Sequence, residues 1–276
     1  MPAPQGAMLA QMSKMFFIAK TIKLPVDWSQ PGDQYPDAFK PAEKSVTPNS
    51  PMNLFREASL NKYHVDSAKT VGDQFSAYID GISRAICQGI QIWMNTTVIA
   101  GVMITGPVGI VKPGSIIGPN LTPLIMAAAP KATPQELKYS QAISSAFGSQ
   151  WQMWHMMMTG ILNYPAFASF PGPMAPPTPN VPAPVLMFPS SGEAGLSLEM
   201  LGHMMSANLG DPKALHASEL FDSIASGFSC VFQTFKSSTL ITNVYGTGPI
   251  PTFAPPFVPV GPVVMGNVIP TPGVFV

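Results

Sequence analysis

The side chains of this chain that could bind a metal or relay a proton are few: four histidines, two cysteines and fourteen Asp and Glu among 276 residues. His64, His155, His203 and His216 do not stand at metal-ligand spacing from a cysteine or carboxylate. His155 sits beside Trp154 and three methionines and reads as a packed helix residue. Cys87 and Cys230 are too few for a disulfide framework or a zinc site, and a free cysteine inside a helix behaves as a small apolar residue. No G-x-S-x-G, P-loop or G-x-G-x-x-G occurs. The expectation is therefore a chain that is not an enzyme, with no catalytic residue, no cofactor and no metal. Only carboxylates brought together from distant parts of the sequence would escape that reading.

Charge points the same way. Fourteen Lys and Arg balance fourteen Asp and Glu, and charged residues make up 10% of the chain against a usual ~25%. Without a basic run there is no field to gather phosphates, so nucleic acid is not an expected partner. Eight of the fourteen basic residues precede residue 70 and none follows Lys236. The first seventy residues thus read as solvent-facing, and the last forty as enclosed or docked.

The elements that carry these residues show a recurring pattern. Three stretches align without a gap on Ile82, Ile143 and Ile224. Four residues before the anchors stand Tyr78, Tyr139 and Leu220; four residues after come Ile86, Phe147 and Phe228. Ile90, Trp151 and Phe232 follow, and the block closes on Trp93, Trp154 and Phe235. At 100° per residue these positions fall in one stripe about 120° wide, the mark of a helix buried on one face. Recurrence at this scale suggests one structural unit used three times. Gln91, Gln152 and Gln233 recur on the opposite side, which suggests a second contact such as amide bonds to the backbone of the following segment.

Each helix runs into an apolar segment rich in Pro and Gly. Pro lacks a donor and fixes φ, so these segments read as extended, irregular paths rather than helices or central strands. A shorter helix is expected before the second and third long ones, in LTPLIMAAAP and LSLEMLGHMMSANLG, with Glu136 and the Asp211–Pro212 pair as start signals. The predicted fold is mainly α with extensive irregular Pro/Gly-rich segments and three internal helix-plus-extended-segment repeats about a pseudo-threefold axis. The boundaries are an extended N-terminal arm over 1–51, in which FFIAKTIKL could make one strand; a first repeat over 52–120, opening with a helix in MNLFREASLNKYHV; a second over 121–193 with a Pro-rich excursion; and a third over 194–276 with an apolar C-terminal segment.

Eighteen methionines read as filler for an awkward core. The N-terminus shows no secretory pattern, so the expected site of synthesis is the cytoplasm. No charge occurs between Arg84 and Lys112 or between Lys138 and Glu193, and such spans are long enough to cross a bilayer. Their Gln, Asn, Thr and Pro content argues against lipid exposure, so a membrane is not the expected partner.

A low-charge, Pro-rich chain carrying its symmetry internally is expected to be a structural component of a large assembly. Its plan is similar to that of tapered axial parts in phage tails, baseplates and contractile injection machines. The expected partners are other protein subunits of threefold or sixfold symmetry, such as a hub or spike, within a virion or injection particle. Residues 248–276 are expected to dock on such a partner or to line the axis. The alternative is a membrane-associated pore or lysis-type protein that uses the uncharged helical stretches.

Overall fold

Thr133, Pro134 and Glu136 show how the sequence starts a helix here. The Thr133 hydroxyl accepts from the Glu136 amide at 3.1 Å, the Glu136 carboxylate accepts from the Thr133 amide at 3.0 Å, and proline fills the first helical position, where no amide is needed. A computed structural model describes residues 4–20, 61–168, 172–214, 216–252 and 261–276. Within them the helices are α1 Gly6–Ala19, α2 Asn61–Thr96, α3 Leu121–Ala128, α4 Pro134–Met156, α5 Leu198–Leu209 and α6 Ala217–Ser238. Asn120 caps α3 by accepting from the Thr122 amide at 2.7 Å, and Gly210 ends α5 in the left-handed region. Asp211 caps a turn instead of a helix, and α6 begins six residues later.

The long helices α2, α4 and α6 stand parallel, because their rings meet in matching rows. Tyr78 meets Tyr139 at 6.2 Å and Tyr139 meets Phe221 at 5.8 Å at one end. Phe147 meets Phe228 at 4.8 Å in the middle. At the other end Trp93 lies 5.2 Å from Trp151, which lies 6.0 Å from Phe232. Ile82, Ile86, Trp93, Ile143, Phe147, Trp154, Ile224, Phe228 and Phe235 are all fully or almost fully buried. Each short helix lies between two long ones: α1 against α2 and α6, α3 against α2 and α4, α5 against α4 and α6. The approach of α1 to α6 depends on Gly227, where a Cβ would come within 2.9 Å of the Ser13 backbone nitrogen. Ion pairs then clamp α1 on both sides, Lys14 to Asp80 on α2 at 2.6 Å and Lys20 to Asp222 on α6 at 3.2 Å.

The segments after the long helices are not irregular. They hold β1 Val98–Ile99, β2 Met103–Thr105, β3 Val108–Val111, β4 Ile116–Ile117, β5 Gly160–Asn163, β6 Met174–Pro179, β7 Ala183–Pro184, β8 Leu240–Ile241, β9 Tyr245–Pro249 and β10 Gly266–Ile269. Six of these form one curled antiparallel sheet, half of a barrel, in the order β5-β3-β2-β10-β9-β6. This overturns the expected mainly α fold of three helix-plus-extended-segment repeats about a pseudo-threefold axis: the molecule is a helical bundle joined to a sheet. The sheet draws two strands from each of the stretches 52–120, 121–193 and 194–276.

The prolines were compatible with strands because of where they fall. Pro176, Pro177 and Pro179 lie on the edge strand β6, where no partner on the outer side needs their amide. Pro107 follows Gly106, whose φ of 61° begins the two-residue turn between Thr105 and Val108.

The N-terminal arm also differs in part from its expectation. Residues 6–19 are helical, so the possible strand in FFIAKTIKL begins inside α1. The prolines from Pro25 to Pro51 lie outside the described residues, as does the helix expected from Met52 except for its last residues, which belong to α2. Of the C-terminal segment expected to dock, residues 253–260 lie outside the described residues, and the rest packs into its own chain. Val263, Val274 and Phe275 are buried, and β10 sits between β2 and β9.

Candidate interaction surface

Alternation along the strands gives the sheet two faces. Ile104, Val111, Leu162, Ala175 and Val268 point inward and are buried. The curl is tight: a Cβ on Gly246 would meet Ile104 at 2.6 Å and Tyr164 at 2.7 Å. On the outward face the register places Ile161 opposite Ile110, Ile110 opposite Met103, Met103 opposite Asn267, and Asn267 opposite Thr247. Three large apolar side chains thus stand side by side across three strands, with 57%, 49% and 48% of Ile161, Ile110 and Met103 exposed. Met174, Val264, Met265 and Ile269 add further exposed apolar surface on or beside the sheet.

None of the six strands contains Asp, Glu, Lys, Arg or His. Sheets that face water commonly carry charge on their exposed positions and edges. Both edges of this one are covered by other means. Beside β5, the Val181 amide donates to the Asn163 carbonyl at 2.7 Å and the Thr159 amide donates to the Pro189 carbonyl at 3.0 Å. On β6 prolines remove three of the six donors. A partner reaching the sheet meets its face rather than its rim.

The repeated glutamines do not converge. Gln91 donates to Asn95 on its own helix at 3.2 Å, and Gln152 accepts from Asn120 at 3.0 Å. Gln233 lines a surface cavity with Glu193, Ser197 and Phe232. These are three different surroundings, and the amide-to-backbone contact expected of all three is not what they make. The methionines differ from expectation as well. Met94, Met158 and Met205 are buried, but Met103, Met153, Met156, Met157, Met174, Met187, Met200 and Met265 are exposed.

The titratable groups are scattered. His155 is buried, and its Nδ1–H donates to the Trp151 carbonyl at 2.9 Å, since a carbonyl can only accept. Burial pushes its pKa down to about 4, with the backbone bond opposing the shift. Burial pushes the Cys87 thiol up to about 12, and Cys230 is exposed on α6. Lys236 is buried over the Phe232 ring, 5.3 Å from its centroid, and pairs with Glu193. Among the described residues no group of three His, Cys, Asp or Glu side chains could hold a metal ion.

The outward sheet face was missed at the sequence level. The signal in the sequence was the Gly106–Pro107 pair between the short apolar runs MIT and VGIV. Comparison with family models, with curated proteins and with solved structures gave no match.

Proposed function

We propose that the chain is a non-enzymatic structural component of a large protein assembly, of the type that builds a phage tail, a baseplate or a contractile injection particle. The observation that carries this reading is the curled sheet, which has no charged side chain and displays the Ile161–Ile110–Met103 row on its open face. Burying such a row removes apolar surface from water at about 25 cal/mol per Å². Leaving it exposed invites non-specific association. The partner proposed is another protein subunit, a trimeric or hexameric hub or spike. Its support is the uncharged sheet face, which an apolar surface on another subunit would cover.

A membrane-associated pore or lysis-type protein is not favoured. Among the described residues no helix is long and apolar enough to cross a membrane. The best uncharged stretch, residues 85–106, is divided between the end of α2 and strands β1 and β2.

The test uses the tagged full chain, isolated gently from the cells that make it. The expected native mass is many times 29.3 kDa, with the other subunits co-purifying. Ile110→Lys combined with Ile161→Lys should leave the melting temperature near that of the parent, since both side chains face outward, and should release the chain from the complex. A double variant that stays incorporated at its usual copy number, or a parent chain recovered only as a monomer, would overturn the proposal.

A further inference from the structure

The Ile161–Ile110–Met103 row contains one side chain whose chemistry can change. Ile161 and Ile110 are hydrocarbon and inert, but Met103 carries a thioether sulfur and is half-exposed. Peroxides oxidise an accessible thioether to the sulfoxide, which turns an apolar side chain into a polar one, and sulfoxide reductases reverse the change. Met94, Met158 and Met205 are shielded from that reaction by burial.

Position makes Met103 the sensitive member of the row. On β2 it stands between Ile110 of β3 and Asn267 of β10. Burial alternates along both β2 and β10, so Met103 and Asn267 face outward together. Residues directly opposite across antiparallel strands have Cβ atoms about 4.5–5.5 Å apart. Asn267 in turn stands opposite Thr247, so Met103 is the border between an apolar row and a polar pair. As a thioether it extends the apolar row to three strands. As a sulfoxide it presents an acceptor oxygen beside the Asn267 amide, which has two N–H donors, and the apolar row shrinks to Ile161 and Ile110. The sheet interior is untouched, because Ile104 and Val268 on the same strands are buried on the other side.

We propose that peroxide oxidation of Met103 in the unassembled chain closes the sheet face to its partner subunit. This regulation rests on the reading of that face as the docking surface. In the step itself a sulfur lone pair attacks one peroxide oxygen and the O–O bond breaks. One oxygen stays on sulfur, and the other leaves as water with both peroxide protons. The thioether gives up two electrons and the peroxide takes them. A docked partner covers Met103, so the reaction is confined to the free chain and controls assembly rather than release. Loss of one apolar side chain from the row, with a polar oxygen left to desolvate, corresponds to about tenfold weaker docking.

The test compares the tagged full chain with two variants. Met103→Leu keeps the apolar bulk without the sulfur, and Met103→Gln puts a polar amide where the sulfoxide oxygen would stand. Made in the cells that contain the complex and read by native mass, Met103→Leu should be incorporated like the parent and Met103→Gln about tenfold less. Both should melt near the parent, since position 103 faces outward. Purified free chains are then treated with dilute hydrogen peroxide and returned to an extract of those cells. The parent should show a Met103 sulfoxide in peptide mass spectra, lose incorporation, and regain it after sulfoxide reductase. Treated Met103→Leu, which retains every other methionine and Cys230, should be incorporated as before. A parent chain incorporated with its Met103 sulfoxide in place would overturn the proposal. So would equal loss in treated Met103→Leu, or a free chain in which Met265 is oxidised and Met103 stays reduced. The Ile110→Lys, Ile161→Lys double variant separates the two levels. If it is released while the oxidised parent is not, the face docks without redox control; if it stays incorporated, the docking reading fails and this regulation fails with it.

Discussion

Phe275 sets its ring against that of Trp93, with centroids 4.8 Å apart, and so ties the C-terminal segment to the first long helix. Trp93 in turn touches Trp151, Trp154 and His155. The segment that looked like a docking arm is therefore part of the seal between bundle and sheet. Removing residues 261–276 should abolish cooperative unfolding altogether, because β10 joins the two halves of the sheet. Phe275→Ala alone should cost about 3 kcal/mol, read from urea unfolding. A truncated chain with the parent's melting curve would show that the helices fold without this seal.

Trp154→Ala should be among the most damaging single changes. Its ring is fully buried and lies 4.6 Å from Trp151 and 5.2 Å from Phe232. Truncating such a residue costs about 3–5 kcal/mol, much of a domain's stability. Trp93→Ala should behave alike, and denaturant titration of both variants is the measurement.

Acid should weaken the fold through His155. Its folded pKa, about 4, lies below the ordinary 6.5, so the unfolded chain takes up a proton first as pH falls. The stability linked to this group is complete above pH 6.5 and is lost progressively down to about pH 4, by about 3 kcal/mol. Melting curves across that window should slope in the parent and flatten in His155→Gln. Equal slopes in both would place the acid sensitivity elsewhere.

The Glu193–Lys236 pair should respond unequally to loss of its two members. The Lys236 side chain is 9% exposed and that of Glu193 36%. Glu193→Gln strands a buried ammonium, whereas Lys236→Met leaves a carboxylate that still reaches water. The first should cost about 2–3 kcal/mol and the second about 1 kcal/mol. The reverse order in chemical denaturation would contradict the burial assigned to Lys236.

The long helices were legible because period and spacing carry them. The stripe through Ile82, Ile143 and Ile224 shows in residue types alone, and the Thr133–Glu136 box marks a start by local chemistry. The sheet was not legible, since its strands run three to six residues and pairing partners lie far apart, as Gly266 does from Ile104. Proline in β6 imitated a coil signal, because edge position is a tertiary fact that no local window contains. Helix α1 was hidden similarly. Short residues such as Ser13 and Ala10 serve its seating against Gly227 and its neighbours, and they carry little helical periodicity. The candidate surface shared this fate: Ile161, Ile110 and Met103 become neighbours only once three strands are in register.

The partly covered rims of the sheet bear on how the chain can associate with copies of itself. A strand edge with free amides is a template, and a molecule with two such edges can add to itself without limit, as in fibres. Here prolines replace three of the six amides of β6, and hydrogen bonds flank the two ends of β5, from Val181 to Asn163 and from Thr159 to Pro189. Growth by strand addition is therefore hindered at both rims, even though the face between them is greasy. A fibre templated on strand edges is the form of association that these rims discourage.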